Sequence, residues 1–461
     1  MTTGAAVPAP AVAQVYRPKF IVVFHERSDR NAGILSQVRK VGQSKGIRSR
    51  AGQVVLEAKG STGAPTKVYE ALRVAATDLT DDELVELKKQ GQVVAVLQNE
   101  IRSVPPMRPS SLAHAMEAFS TDGEPSAGIS TGFSPEQAFV EGMSAAINAI
   151  RSFGAAGISP APIISQPAAL PVNAAAAVRR TWGLASIGIT SRYRRATGKG
   201  VKVAVLDTGV NMRHPDFVGR FDEGVNAVSF VNGQGVQDGH GHGTHTTGTV
   251  AGPSRSVGGI RYGVAPDADI FSGKVLSNRG SGSDDTIIEG IDWARDQGCK
   301  VISMSLGSAR EPGEPFSAAY ESLAQQLLDD GVLIVAAAGN ESDRPDILAP
   351  VGNPAACPSI LAVAAIDRRL GIADFSCRKV DPIGEVNISG PGVAVYSAFK
   401  GNQFVTLDGT SMATPHVAGA AALFLETNPQ LTARELWRSL VDGARSLGST
   451  ADFGSGELQV P

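Results

Sequence analysis

The sequence predicts an α/β fold: a mostly parallel sheet with helices on both faces, preceded by a small α+β unit. Three observations predict it. VKVAVLD (201–207), KVISMSL (300–306), VLIVAAA (332–338) and SILAVAA (359–365) are near-continuous apolar runs, the mark of parallel strands buried on both faces. Helical segments near 284–297 and 316–330 alternate with these runs, and two more follow at 415–427 and 432–444. The chain has 461 residues, more than one ordinary core organises, so at least two domains are expected.

The first domain is read in order. Residues 1–15 are rich in Ala, Pro and Thr and read as a loose tail. FIVVFH (20–25) reads as a strand and ILSQVRKVGQSK (34–45) as a helix. VVLEA (54–58) and KVYEALRVAA (67–76) are strand candidates. TDDELVELKKQG reads as a helix, because Thr80 can cap it, Glu83 lies three residues on and Gly91 ends it. VVAVLQ (93–98) closes a β-α-β-β-α-β order, that of a ferredoxin-like unit spanning 16–104. Residues 105–178 are dominated by Ala, Ser, Pro and Gly and read as linker, with one helix over 134–153. The second domain is 179–461.

Composition excludes several classes of function. Lys and Arg number 42 against 45 Asp and Glu, a net charge of −3. That balance gives no footprint for nucleic acid or an anionic membrane. No run approaches about 18 apolar residues, so no membrane span is expected. The start lacks a basic stretch followed by a leucine-rich one. No secretory signal is therefore visible, which leaves the cytoplasm or an export route the sequence does not display. Cys299, Cys357 and Cys377 have no metal-type spacing and read as small buried hydrophobes, although one disulfide could form.

The chemistry must choose among seven histidines, and three of them cluster in DGHGHGTHTTGTVAG (238–252). His240, His242, His245 and Asp238 could hold a metal, or one ring could be a general base. Two other segments decide between these. Asp207 ends an apolar strand, at the edge where open α/β sheets build sites. Ser411 stands just before a helix whose first turn holds Pro415, so free N–H groups lie near its oxygen. A serine hydroxyl becomes a nucleophile when a base takes its proton and a third group fixes that base.

With AVLDTGV around Asp207, HGTHTTGTVAG around His242, ISMSLG around Ser305, VAAAGNE around Asn340 and GTSMATPHVAG around Ser411, residues 179–461 resemble the subtilisin-like serine proteases. The resemblance implies a serine endopeptidase made as a self-processed zymogen. Ser411 is then the nucleophile, His242 the base, Asp207 its orienter and Asn340 an oxyanion donor. It also implies substrate walls at Gly280-Ser281-Gly282 and Ser305-Leu306-Gly307. A specificity pocket follows at Ala337, Ala338 and Gly339, with Gly352 at its base and Glu341 on the rim. The partners are protein or peptide substrates, and the N-terminal unit becomes an intramolecular inhibitor. His214 and His416 fall to structural roles.

The sequence departs from that family in places. The segment 105–178 leaves two processing points, near Glu100–Pro106 or near Val178–Arg180. Asp216 matches a residue that assists calcium in relatives, but AGPSRSVGGIRYG puts Arg255 near the expected amide ligand and Asn387 replaces an acid. No cofactor is expected for catalysis, and calcium remains a structural option only. GISTG (128–132) matches a hydrolase elbow but follows no strand. The competing reading is a non-catalytic or permanently latent scaffold that binds or regulates.

Overall fold

Continuous burial along the central strands explains the architecture. In the computed structural model, described over residues 18–24, 47–48, 54–56, 66–69, 72–89, 93–105, 108–110, 119–120, 179–193 and 195–461, seven parallel strands form the main sheet. The expected tail, the helices expected at 34–45 and 134–153, and GISTG lie outside the described residues, as does a separate unit, Thr121–Ala177.

The N-terminal strands are β1 (Phe20–Phe24), β2 (Ile47–Arg48), β3 (Val54–Leu56), β4 (Thr66–Tyr69), β5 (Val74–Thr77) and β6 (Val93–Gln98). They pair in the order β2-β3-β4-β5-β1-β6. The run 67–76, read as one strand, is two antiparallel strands, β4 and β5; Arg73 between them adopts a φ of 57°. Apolar content alone hid that turn. Helix α1 (Asp81–Lys88) starts as expected: Glu83 N–H donates to Thr80 Oγ1 at 3.3 Å and Thr80 N–H to Glu83 Oε2 at 2.7 Å. Such a cap stabilises a helix by about 1 kcal/mol.

Short strands β7 (Ile101–Ser103), β8 (Arg108–Pro109) and β9 (Phe119–Ser120) follow, then β10 (Arg179–Thr181) and helix α2 (Trp182–Ser186). The stretch read as linker thus begins with strands that join the second domain.

The main sheet draws on β11 (Lys202–Asp207), β12 (Ala227–Ser229), β14 (Asp269–Lys274), β16 (Val301–Met304), β17 (Leu333–Ala337), β18 (Leu361–Ile366) and β19 (Ile388–Pro391). Their order is β12-β14-β11-β16-β17-β18-β19, all parallel. Val203, Val205, Leu333, Val335, Leu361 and Val363 enter one apolar cluster. Ala204, Leu206, Ile334, Ala336, Ala362 and Ala364 enter the other, as a period of two requires. Helices α3 (His242–Ala251), α6 (Thr410–Thr427) and α7 (Ala433–Asp442) contribute to the first cluster; α4 (Asp284–Asp296) and α5 (Ala318–Asp329) contribute to the second.

The remaining strands are β13 (Ile260–Arg261), β15 (Ser281–Ser283), β20 (Val395–Phe399) and β21 (Gln403–Asp408). β13 pairs with β10, which pairs with β9. β8 extends the β20–β21 hairpin. The N-terminal sheet shares the second cluster: Ile21, Val23, Tyr69, Leu72 and Val74 pack with Ile287, Ile288 and Leu323. Lys67 and Glu289 pair at 2.5 Å at the margin of that contact. Cys299, Cys357 and Cys377 are buried and unpaired. Among the described residues no helix is long and apolar enough to cross a membrane.

Candidate active site

Three neighbouring strands deliver the site residues to one sheet edge. β11 and β16 pair with Val205 opposite Ser303, so the parallel register continued by two residues sets Asp207 beside Ser305. β17 follows β16, with Ala336 opposite Met304, and leads to Gly339 and Asn340.

Asp207 is buried and bonds to the His242 ring. Nδ1 of His242 lies 2.8 Å from Oδ1 and 2.9 Å from Oδ2. Beside a carboxylate, Nδ1 carries the proton and Nε2 is left as the acceptor. Thr208 N–H and Thr246 Oγ1 also donate to Asp207, at 2.7 and 3.2 Å. His242 is the first residue of α3, which follows Gly241 at a φ of 104°. A Cβ at Gly241 would also run into the Phe399 ring, so glycine is required there.

The helix start is capped by Asp238. Its Oδ1 accepts from His240 N–H (2.9 Å), Gly241 N–H (2.8 Å) and Thr208 Oγ1 (3.0 Å). Its Oδ2 accepts from Thr244 N–H (2.9 Å) and Oγ1 (2.7 Å). The buried Lys274 ammonium donates to Thr208 carbonyl and Asn278 Oδ1, and burial lowers its pKa. The metal reading of the histidine cluster therefore fails. Asp238 spends its oxygens on the backbone, His242 faces Asp207, and His245 Nε2 bonds to the Val395 carbonyl at 3.0 Å. Among the described residues no cluster of three such side chains could hold a metal ion.

Ser411 is the second residue of α6, and Pro415 lies in the second turn, one turn later than expected. Pro415 has no N–H for the Ser411 carbonyl, and Ser305 Oγ supplies that bond instead, at 2.8 Å. The Ser411 hydroxyl is turned onto the Ser305 carbonyl at 3.4 Å, not onto His242. Asn340 Oδ1 accepts from Thr410 N–H (2.9 Å) and Thr410 Oγ1 (2.8 Å), which fixes the amide orientation. A Cβ on Gly409 would lie 3.3 Å from Asn340 Nδ2 and 3.6 Å from Ser411 N. Two donors thus border one small space.

The expected substrate walls hold the chain's own strand β7. β15 and β7 are antiparallel, with Ser281 opposite Ser103 and Gly282 opposite Arg102. Val104 N–H donates to Gly280 carbonyl at 2.9 Å, and Ser103 and Gly307 exchange two bonds of 3.0 Å. Leu306 points into the core. Gly352 N–H donates to Ala338 carbonyl at 2.9 Å, and Gly339 N–H to Thr410 Oγ1 at 3.3 Å, so Ala337 to Gly339 and Gly352 adjoin. Glu341 accepts from the Cys377 thiol at 3.1 Å.

His214, His245 and His416 serve packing. His214 donates from Nε2 to Gln403 carbonyl at 3.1 Å and accepts from Asp216 N–H at Nδ1. His416 donates to Met412 carbonyl at 2.9 Å. Burial lowers the His245 pKa to about 3 and that of His416 to about 4. Asp216 is committed to protein donors: Ser256 Oγ (2.7 Å), Val257 N–H (2.8 Å) and Tyr262 Oη (2.8 Å). Asn387 Oδ1 accepts from Ala362 N–H at 2.7 Å. Both Asp216 oxygens and the Asn387 side-chain oxygen thus already accept protein donors.

The sequence comparisons agree with this geometry. Residues 198–456 match the profile of the Subtilase family, Peptidase_S8. Subtilisin Savinase of Lederbergia lenta is 41% identical over 277 residues, 60% of this chain and 95% of that protein. An alkaline protease of Alkalihalobacillus alcalophilus is 41% identical over 60% of this chain and 67% of its own length. Among solved structures, sphericase is 34% identical at a TM-score of 0.54, covering 61% of this chain and 98% of its own. The chain belongs to the subtilase family. It is a serine endopeptidase that acts on proteins or peptides, and the non-catalytic scaffold is not favoured.

Sequence reasoning missed β14, whose Ser272, Gly273 and Lys274 break its apolar run. It also missed Asp284, read only as the start of a helix. The single available signal was a pair of acids after GSGS.

Proposed function

We propose that Ser411 attacks the peptide carbonyl while His242 Nε2 takes its proton, with Asp207 holding the imidazolium that forms. Asn340 Nδ2 and the Ser411 N–H receive the oxyanion. His242 then protonates the leaving amine, and water repeats the steps on the acyl-enzyme. The Asp207–His242 bond of 2.8 Å carries this reading, because it leaves Nε2 as a base. Free enzymes often hold such sites loosely before substrate arrives.

The register supports a role for the N-terminal unit as an intramolecular inhibitor. Ser103 lies opposite Gly307, so two residues on, Pro105 falls opposite Ser305, beside Ser411. Proline has no N–H to offer the Ser305 carbonyl, and the Ser411 hydroxyl uses that acceptor instead. A substrate residue with an N–H would claim the carbonyl and free the hydroxyl for His242. The bond at this point is Pro105–Pro106, whose leaving nitrogen is locked in a ring. Of the two processing points, the one near Val178–Arg180 is therefore favoured. Gly280, Ser281, Gly282, Ser305 and Gly307 serve as substrate walls. Ala337, Ala338, Gly339 and Gly352 form the pocket for the residue before the cut. No cation is required, since Asp216 is already satisfied.

Peptide hydrolysis by the full-length chain tests the reading. Progress curves should accelerate as the inhibitory unit is lost. Linear progress contradicts it.

A further inference from the structure

Arg102 is only 2% exposed, although it belongs to a strand that lies in the cleft. Its Nε donates to Asp284 Oδ1 at 2.8 Å and its Nη2 to Asp284 Oδ2 at 3.2 Å, a bidentate pair. Nη1 donates to Ser308 Oγ. The guanidinium carbon stands 5.7 Å from the centre of the Tyr320 ring, and Tyr320 Oη donates to Asp284 Oδ1 at 3.0 Å. Glu100, on the same segment as Arg102, adds an oxygen 2.8 Å from Nη2.

Asp284, Ser308 and Tyr320 belong to the catalytic domain and remain when the strand leaves. We propose that they form an arginine-selecting subsite, read at the fourth residue before the cut. The proposal rests on the cleft reading above. The position follows from the register, with Pro105 beside Ser411 and Arg102 three residues earlier. Simple docking of the N-terminal unit does not call for this arrangement, since burying two charges costs more than burying an apolar side chain of similar size. Asp284 is also the first residue of α4, where the helix favours negative charge. Once emptied, the pocket stays anionic, and a planar fork over an aromatic ring suits arginine better than lysine. Glu341, on the rim of the other pocket, meets the Cys377 thiol and, among the described residues, no ion-pair partner.

Full-length protein is assayed on quenched peptides that differ only at this position, with arginine, citrulline or leucine, and fragment masses fix the cut. Citrulline keeps the shape and loses the charge. The arginine peptide should show a kcat/KM about 10- to 100-fold above the citrulline peptide. Asp284→Asn should bring the ratio near one, and Ser308→Ala should lower it in part. The ratio is the readout, because looser binding of the chain's own strand raises all rates alike. A wild-type ratio near one overturns the subsite, with no variant needed. So does a ratio unchanged in both variants. Cleavage of none of the peptides overturns the peptidase mechanism and the subsite together.

Discussion

Two buried carboxylates, Asp207 and Asp284, are each bonded to a nitrogen group. Asp207 and His242 both belong to the catalytic domain, and the pair is 1–2% exposed. Asp284 meets a guanidinium that arrives on a separate segment. Both are held with similar geometry, at 2.8 Å. The difference lies in exchange. A partner fixed within one domain can cycle a proton without leaving, whereas a partner carried by another segment can be replaced by substrate. Burial alone does not separate chemistry from recognition; the origin of the partner does.

Breaking the fixed pair should have the largest effect. Ser411→Ala or His242→Ala should lower kcat by about 10⁴-fold or more, since these groups act as a unit; single-turnover peptide hydrolysis measures it. Asn340→Ala should cost about 10²–10³ in kcat with little change in KM, a magnitude taken from a subtilisin. Asp238→Ala leaves the buried N–H groups at the start of α3 unpaired, and unfolding by denaturant should show a loss of about 1–3 kcal/mol.

Acid should act more weakly, through packing. Burial, aided by the nearby charge of His242, keeps the His245 pKa at about 3, and burial keeps that of His416 at about 4. Unfolded histidine binds a proton near 6.5. Between these values the unfolded state holds more protons, so stability is full above pH about 6.5 and falls as the pH drops toward 4. Thermal melts across that range check the sign. A chelator should shift the melting temperature least of all, because Ser256, Val257 and Tyr262 already donate to Asp216.

Much of the site was legible because its chemistry is local. AVLD, HGTH and GTSMATP each carry a reactive residue at an element end, and four of the seven strands of the main sheet read as apolar runs. What stayed hidden depends on register. Nothing in IRSVPP or GSGSDD says that Arg102 and Asp284 meet, 182 positions apart. Pro415 read as a helix-start residue, yet its larger consequence, the Ser305 bond to the Ser411 carbonyl, needs two elements in contact. The turn inside 67–76 was invisible because no glycine or proline marks it.

The most direct test of the central claim is to map the covalent adduct of a fluorophosphonate on the hydrolysing chain by mass spectrometry. One adduct on Ser411, lost in His242→Ala and absent in Ser411→Ala, is the predicted result. No adduct at that serine, or labelling that persists without the imidazole at 242, would contradict it.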